Sequence, residues 1–503
     1  MFFRRDGYPS SPVLSFVKFL WCGNFVLHWV IIVPMQTIHD AVNWLNGYLW
    51  GTPMLAFLFG SHLFLTFRLR FIQRYTWRGI KLSLQRVEDN SEGDVSHYGA
   101  LTTALAATIG TGNIVGVGTA VAIGGPGAVL WMWLTGVFGI ATKYAEAVLA
   151  VKYRVKTEDG TMLGVPMYAI EKGMGIKWLA VLFSIFTSIA AFGIGNMVQS
   201  NSIASLAHDE FSISPWVTGG VITLITAVVV LGGIKWIARV CEGLVPMMAG
   251  AYIAGCTYIL FYNLSYVLPA LGLIVRSALS PRAAGGGFVG ATVMIAARYG
   301  IARGLFSNES GLGSAPIVAA AAKSKNPVRQ ALVSATGTFW DTVVICALTG
   351  LVLVTTMMRQ PEIAVGQNGA LLTKAVFGNI PVIGQPLLVF ALLTFVFSTI
   401  LGWSYYGERA AEYLFGKMII RPYRVAWVAA VMVGAVVPLP LVWDFADMSN
   451  ALMAIPNLAS LIALSGVIVA ETRLHLWTGE SVTADGGFMS PAVEPVPAEE
   501  EES

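Results

Sequence analysis

Two short runs of glycine and small polar residues interrupt otherwise apolar sequence. The first reads Ala107-Thr-Ile-Gly-Thr-Gly-Asn-Ile-Val-Gly-Val-Gly118, the second Gly304-Leu-Phe-Ser-Asn-Glu-Ser-Gly-Leu-Gly-Ser314. Glycine costs about 1 kcal/mol against alanine inside a helix, and bare backbone amides are costly in hydrocarbon. Such segments persist at membrane depth only where protein buries them or where they line a cavity. In the first run, Thr108, Gly110, Thr111, Gly112 and Asn113 mark an unwound point. Unwinding frees carbonyls on one half-helix and amides on the other. The amides sit at a positive dipole end and suit a carboxylate. The carbonyls of residues such as Ala107, with hydroxyls nearby, suit Na⁺. Close packing through Gly112 and Gly116 is the plainer alternative, but it does not require Thr and Asn as well.

The second run carries Phe306, Ser307, Asn308, Glu309 and Ser310. An ionisable group at membrane depth is functional by default. Glu309 is therefore read as a ligand, or as an anchor paired with Arg298 or Arg303. Phe306 is either core or the wall of a small pocket. Asn196 and Gln199 are spaced i,i+3 and are expected to share a helix face, either binding substrate or joining helices. Ser398, Thr399 and Gly402 also fall on one face and offer hydroxyl oxygens to a cation, with Trp403 placed to cap a pocket. Asp341 is a structural partner or a coupling group. Lys143 and Glu146 are expected nearer a helix end, where they snorkel or pair. The four cysteines stand singly, so neither disulfide nor metal is expected. With no catalytic triad, metal-ligand cluster or P-loop, the chain is read as neither an enzyme nor an ATPase. Transport driven by an ion gradient remains, without an organic cofactor.

The elements that position these residues follow from composition. Of 503 residues, 56% are hydrophobic and 12% charged, against about 25% charged in soluble proteins. Apolar runs near 20 residues long fall at about 48–67, 100–123, 128–150, 178–207, 215–233, 242–265, 288–320, 331–357, 385–408, 425–441 and 449–470. The stretch 13–35 is an interfacial helix or an extra span, and the Pro- and Glu-rich tail is expected to be disordered. With loop 68–86 in the cytoplasm, alternation puts 21 of the 31 Lys and Arg inside and four in outside loops. The positive-inside rule then sets the orientation, with the C-terminus cytoplasmic. Five spans separate the starts of the two broken helices, so these run in opposite directions. The pattern predicts an all-α polytopic membrane protein of the LeuT type, a 5+5 inverted repeat with one preceding span. Its divisions are an N-terminal extension 1–39, a first span and basic loop 40–96, repeats 97–286 and 287–472, and an acidic tail 473–503.

On Gly110-Thr-Gly-Asn-Ile-Val-Gly-Val, Gly124-Gly-Pro-Gly-Ala-Val-Leu-Trp-Met-Trp133, Ala141-Thr-Lys-Tyr-Ala-Glu-Ala-Val-Leu-Ala-Val-Lys-Tyr-Arg154 and Gly304 through Pro316, the chain resembles the alanine or glycine:cation symporter family. These are also called the sodium:alanine symporters, within the APC superfamily. The resemblance runs from about Val42 to Arg473. It implies Na⁺- or H⁺-coupled uptake of small neutral amino acids across a prokaryotic plasma (cell inner) membrane. The implied pocket uses Thr108, Gly110, Thr111, Gly112, Gln199, Phe306, Asn308 and Trp403, with Ser398 and Thr399 as a sodium-site hydroxyl pair. Ser310 departs from an Ala common at that place. Symport of serine or glutamine stays open as an alternative, as does a transporter-like sensor.

Overall fold

The computed structural model describes residues 35–85, 93–157, 160–164, 166–279, 293–364, 369–437 and 440–477. The stretch before residue 35 and the tail from residue 478 lie outside them. Among the described residues the chain is helical apart from a small hairpin, β1 (Val155–Lys156) and β2 (Met162–Leu163). The principal helices are α1 (Met35–Leu49), α2 (Thr52–Arg68), α3 (Thr76–Leu84), α4 (His97–Thr108), α5 (Gly112–Gly124), α6 (Gly127–Lys152), α7 (Lys177–Phe211), α8 (Pro215–Val230), α9 (Ile234–Tyr262) and α10 (Leu264–Leu279). They continue as α11 (Val293–Asn308), α12 (Pro316–Ala319), α13 (Pro327–Arg359), α14 (Gly369–Gly378), α15 (Gly384–Phe415), α16 (Ile420–Val436), α17 (Pro440–Ala463) and α18 (Ser465–Thr472). Among the described residues, seven helices are long and apolar enough to cross a membrane, or nine if each bent pair is one span.

The expected runs all meet helices. The two breaks also fall where the glycines are. α4 and α5 meet at 52° around residues 109–111. α11 ends at Asn308, and the chain then runs through Glu309, Gly311 and Gly313, all with positive φ, before the single turn of α12. Three features depart from the sequence reading. The run at 449–470 is not one straight helix, since the chain bends by 57° between Ala463 and Ser465. The run expected to start at 242 begins at Ile234, directly after Gly233 turns the chain with φ 70°. Finally, α10 is an apolar helix in a segment read as an outside loop. Its 16 residues span roughly 24 Å, short of the roughly 30 Å hydrocarbon core. It packs on the start of α6, where Trp131 Nε1 donates to the Ala278 carbonyl at 3.3 Å.

The core is centred on α6, from which most side chains are buried. α11 lies against it through Gly300 and Gly304, one helical turn apart. A Cβ on Gly300 would come within 2.4 Å of the Ala128 carbonyl oxygen, and one on Gly304 within 2.0 Å of Thr135 Oγ1. Without a hydrophobic force between helices in lipid, such backbone approach supplies the packing. One end of the bundle is clasped shut. Lys323 N donates to the Val95 carbonyl at 2.9 Å, and Asp94 N donates to the Ala321 carbonyl at 2.8 Å. Arg154 donates to the carbonyls of Ala322 at 3.0 Å and Ser324 at 2.5 Å. This end carries Arg154, Lys323 and Arg329 and is called the basic end below.

Gly304→Val should destabilise the bundle by about 1–3 kcal/mol through overpacking. Gly250→Ala in α9, where an added Cβ meets nothing within 4 Å, should not. Melting of the two purified variants checks this, and equal melting points would contradict the packing described.

Candidate functional site

The two breaks press together at the middle of the bundle. A Cβ on Gly112 would lie 3.2 Å from Ser307 Cα, and one on Gly110 would lie 2.6 Å from Thr399 Oγ1. Gly116, by contrast, has room, with only its own turn at 3.9 Å. Glycine at 110 and 112 therefore serves close approach to α11 and α15.

Each break is stitched by side chains that stand in for lost helix bonds. In the first, Gly110 N donates to Asn113 Oδ1 at 2.8 Å. Asn113 Nδ2 donates in turn to Asp341 Oδ1 at 2.7 Å. Asp341 Oδ2 accepts from Ser307 Oγ at 3.0 Å and Thr342 Oγ1 at 2.6 Å. Asp341 thus joins both breaks from α13. In the second, Asn308 Oδ1 accepts from Ser310 N at 2.9 Å. Glu146 Oε1 gathers Gly311 N at 3.0 Å, Gly313 N at 3.1 Å and Asn457 Nδ2 at 2.7 Å. Glu309 is not paired with Arg298 or Arg303, whose guanidinium groups lie over Tyr299 and Phe306. Instead it accepts from Trp403 Nε1 at 2.9 Å and from Ser314 Oγ at 2.5 Å.

Between the breaks lies a pocket. Its walls include Ala107, Thr108, Gly110, Thr111 and Gly112 of the first break and Phe306 and Glu309 of the second. Ile194 and Gln199 of α7, Thr399 and Trp403 of α15 and Asn450 of α17 close it. Gln199 Nε2 donates to the Ile194 carbonyl at 2.9 Å, leaving Gln199 Oε1 buried without a partner among the described residues. Asn450 Oδ1 is likewise buried and unpartnered. Two acceptors therefore belong to residues of a pocket that the N-terminal end of α5 also lines, where the first helical amides lack intrahelical acceptors.

α15 lays the other expected face on the first break. Ser398 Oγ donates to the Phe395 carbonyl at 2.8 Å and the Ala106 carbonyl at 3.2 Å. Thr399 Oγ1 lies 3.4 Å from the Ile109 carbonyl. Gly402 allows this, since a Cβ there would meet Ala107 N at 2.7 Å. Hydroxyls and main-chain carbonyls so placed form an all-oxygen set, which suits a hard cation such as Na⁺.

Several expectations need correction. Asn196 and Gln199 do not share a face. Residues Ala191–Met197 form a π turn, whose extra residue breaks the 3.6 period. Asn196 Nδ2 reaches the Trp427 carbonyl at 2.8 Å and joins helices, while Gln199 faces the pocket. Lys143 and Glu146 do not snorkel; they are 4% and 2% exposed. Asn113 is engaged by Gly110 and Asp341, and Asn308 lines a neighbouring cavity. Asn450 was missed because a lone Asn in an apolar run carries no spacing signal. Glu146 had a signal: two left-handed glycines in the second break need an acceptor for their amides.

Residues 35–482 match the model of the sodium:alanine symporter family. The chain is 51% identical over 438 residues to a sodium/alanine symporter, AgcS, of Methanococcus maripaludis, covering 86% of this chain and 96% of that protein. It is 34% identical to a probable sodium/glutamine symporter, GlnT, of Bacillus subtilis, covering 87% and 91%. The crystal structure of MhsT in complex with L-phenylalanine superposes with a TM-score of 0.51 at 15% identity, covering 76% of this chain and 89% of that one. That likeness shows the fold, which is of the LeuT type. The chain belongs to the sodium:alanine symporter family and is a multi-pass membrane transporter, not an enzyme.

Asp341→Leu should cost about 3 kcal/mol by removing the carboxylate that three buried donors share, which leaves Asn113 and Ser307 only their weaker contacts with Cys346 Sγ and the Asp341 carbonyl. Asp341→Asn, which keeps an acceptor oxygen, should cost less. Equal thermal stability of the leucine variant and the parent would refute the role given to Asp341.

Proposed function

We propose that the chain carries alanine and glycine into the cell by Na⁺-coupled symport through alternating access. One observation carries the reading: two broken helices face each other around a buried pocket lined by two unpartnered acceptors and by a helix N-terminus. The substrate carboxylate sits on the amides of Thr111 and Gly112, since those of Gly110 and Asn113 are already bonded within the break, and the dipole of α5 favours negative charge there. Its ammonium faces Gln199 Oε1 and Asn450 Oδ1. Phe306 and Trp403 restrict the side chain. The relative named a sodium/alanine symporter supports Na⁺ and alanine. The relative named a probable sodium/glutamine symporter makes glutamine the second substrate to test.

Na⁺ binds where Ser398 and Thr399 meet the carbonyls of residues 106–110, tying α15 to the first break. An ion that closes this joint raises substrate affinity, and the substrate raises ion affinity by the same factor. The excess of Lys and Arg assigns the basic end, with the C-terminus, to the cytoplasm. The inverted five-span halves are part of the same reading.

Uptake of labelled alanine into proteoliposomes tests it. An inward Na⁺ gradient should drive accumulation that glycine blocks, and an H⁺ gradient alone should not. Accumulation under H⁺ alone would replace the coupling ion. Thr399→Ala should raise the Na⁺ concentration for half-maximal uptake by about tenfold or more, equivalent to about 1.4 kcal/mol. An unchanged Na⁺ response would remove the ion assignment. Trp403→Ala should let glutamine compete with alanine; continued exclusion would remove Trp403 as the size limit.

A further inference from the structure

A second cavity lies beside the pocket on its basic-end side. Thr108 lines both. The other polar groups around the second cavity are Lys143 of α6, Asn308 at the end of α11 and Ser334 of α13. Lys143 is 4% exposed and Asn308 is fully buried. Neither Lys143 Nζ nor Asn308 Nδ2 has a hydrogen-bond partner among the described residues. An ammonium has three donors and no acceptor, and a buried donor without an acceptor costs its full desolvation penalty. Two such donors on one cavity call for an acceptor.

The charges nearby choose among acceptors. Glu146, Glu309 and Asp341 all interact electrostatically with Lys143. Three acidic side chains gathered around one ammonium disfavour a bare anion. A zwitterion adds no net charge, and its carboxylate matches the two donors. The cavity shares Thr108 with the pocket, and its lining continues to Ala315 and Pro316 beyond the second break. We infer that Lys143 and Asn308 form a second subsite, which takes the carboxylate of the transported amino acid as it leaves the main pocket. The inference rests on the transport reading above. Lys143 is then a residue of the release step, and the main pocket binds without it.

The test uses the full-length protein, in detergent for binding and in proteoliposomes for transport. Lys143→Met keeps the chain length and removes the charge. It should bind alanine with Na⁺ at a Kd within about twofold of the parent while turnover falls about tenfold. Lys143→Arg should recover most of the turnover. Parental turnover in Lys143→Met would overturn the subsite, and so would binding and transport lost in parallel. Should that variant fail to fold, Ser334→Asp places a tethered carboxylate in the cavity. It should bind alanine and release it slowly, and parental turnover would overturn the subsite. Replacing chloride by gluconate on both sides should leave parental uptake unchanged. A loss that chloride restores would give the cavity to chloride and overturn the carboxylate. If the parent accumulates no amino acid under any gradient, the transport reading fails and takes the subsite with it. Normal parental transport with a normal Lys143→Met variant sinks the subsite alone.

Discussion

Every backbone amide and carbonyl at membrane depth needs a partner supplied by the protein itself. This constraint organises the rest of the molecule. A continuous helix meets it within its own chain, whereas a broken one must borrow from its neighbours. Here the loans are specific. Asn113 takes the amide of Gly110, Asn308 that of Ser310, and Glu146 those of Gly311 and Gly313. Two of these lenders are held in turn, Asn113 by Asp341 and Glu146 by Asn457. The polar residues buried in α6, α13 and α17 are thus part of the breaks, although they lie far from them in sequence.

That arrangement explains the glycines. A side chain that satisfies a foreign backbone must approach it closely, and the helices carrying those side chains must pack closely too. Gly300 and Gly304 let α11 reach α6, and Gly402 lets α15 reach α4 at Ala107. In the second break, Gly311 and Gly313 take φ of 92° and 85°, which turns both amides toward the one Glu146 oxygen. Side chains at those φ values are strained. Glu309 accepts that conformation at φ 55°, with both carboxylate oxygens bound.

Much of this was legible in the residues. Broken helices leave glycines beside hydroxyls and amides in an apolar run, and both breaks fell where the pattern put them. The face of Ser398, Thr399 and Gly402 was legible because α15 keeps the regular helical period through it. The Asn196–Gln199 face was not, because a π turn shifts the period between them and nothing in Ala191–Met197 announces it. Lys143 and Glu146 read as end residues because linear position along a span was taken for depth; tertiary contact with the second break overrides it. α10 went unread because 16 apolar residues after a long span fall below the length that marks another. Asp341 reads as a structural partner or a coupling group, but Asn113 and Ser307, which it joins, lie 228 and 34 residues away and no local pattern points to them.

The same constraint bears on how ion and substrate are coupled in the proposed symport. A break divides one helix dipole into two, leaving carbonyl oxygens at the end of α4 and amides at the start of α5. Opposite charges therefore find sites within a few residues of each other, on two sides of one 52° joint. In that proposal Na⁺ at the carbonyl side holds α4 to α15, and the substrate carboxylate at the amide side sits against α5. Neither site keeps its geometry if the joint straightens or α15 withdraws. Coupling then needs no relay across the protein, because both ligands bias the same mechanical element. A continuous helix would be the more stable span, and it would have neither site.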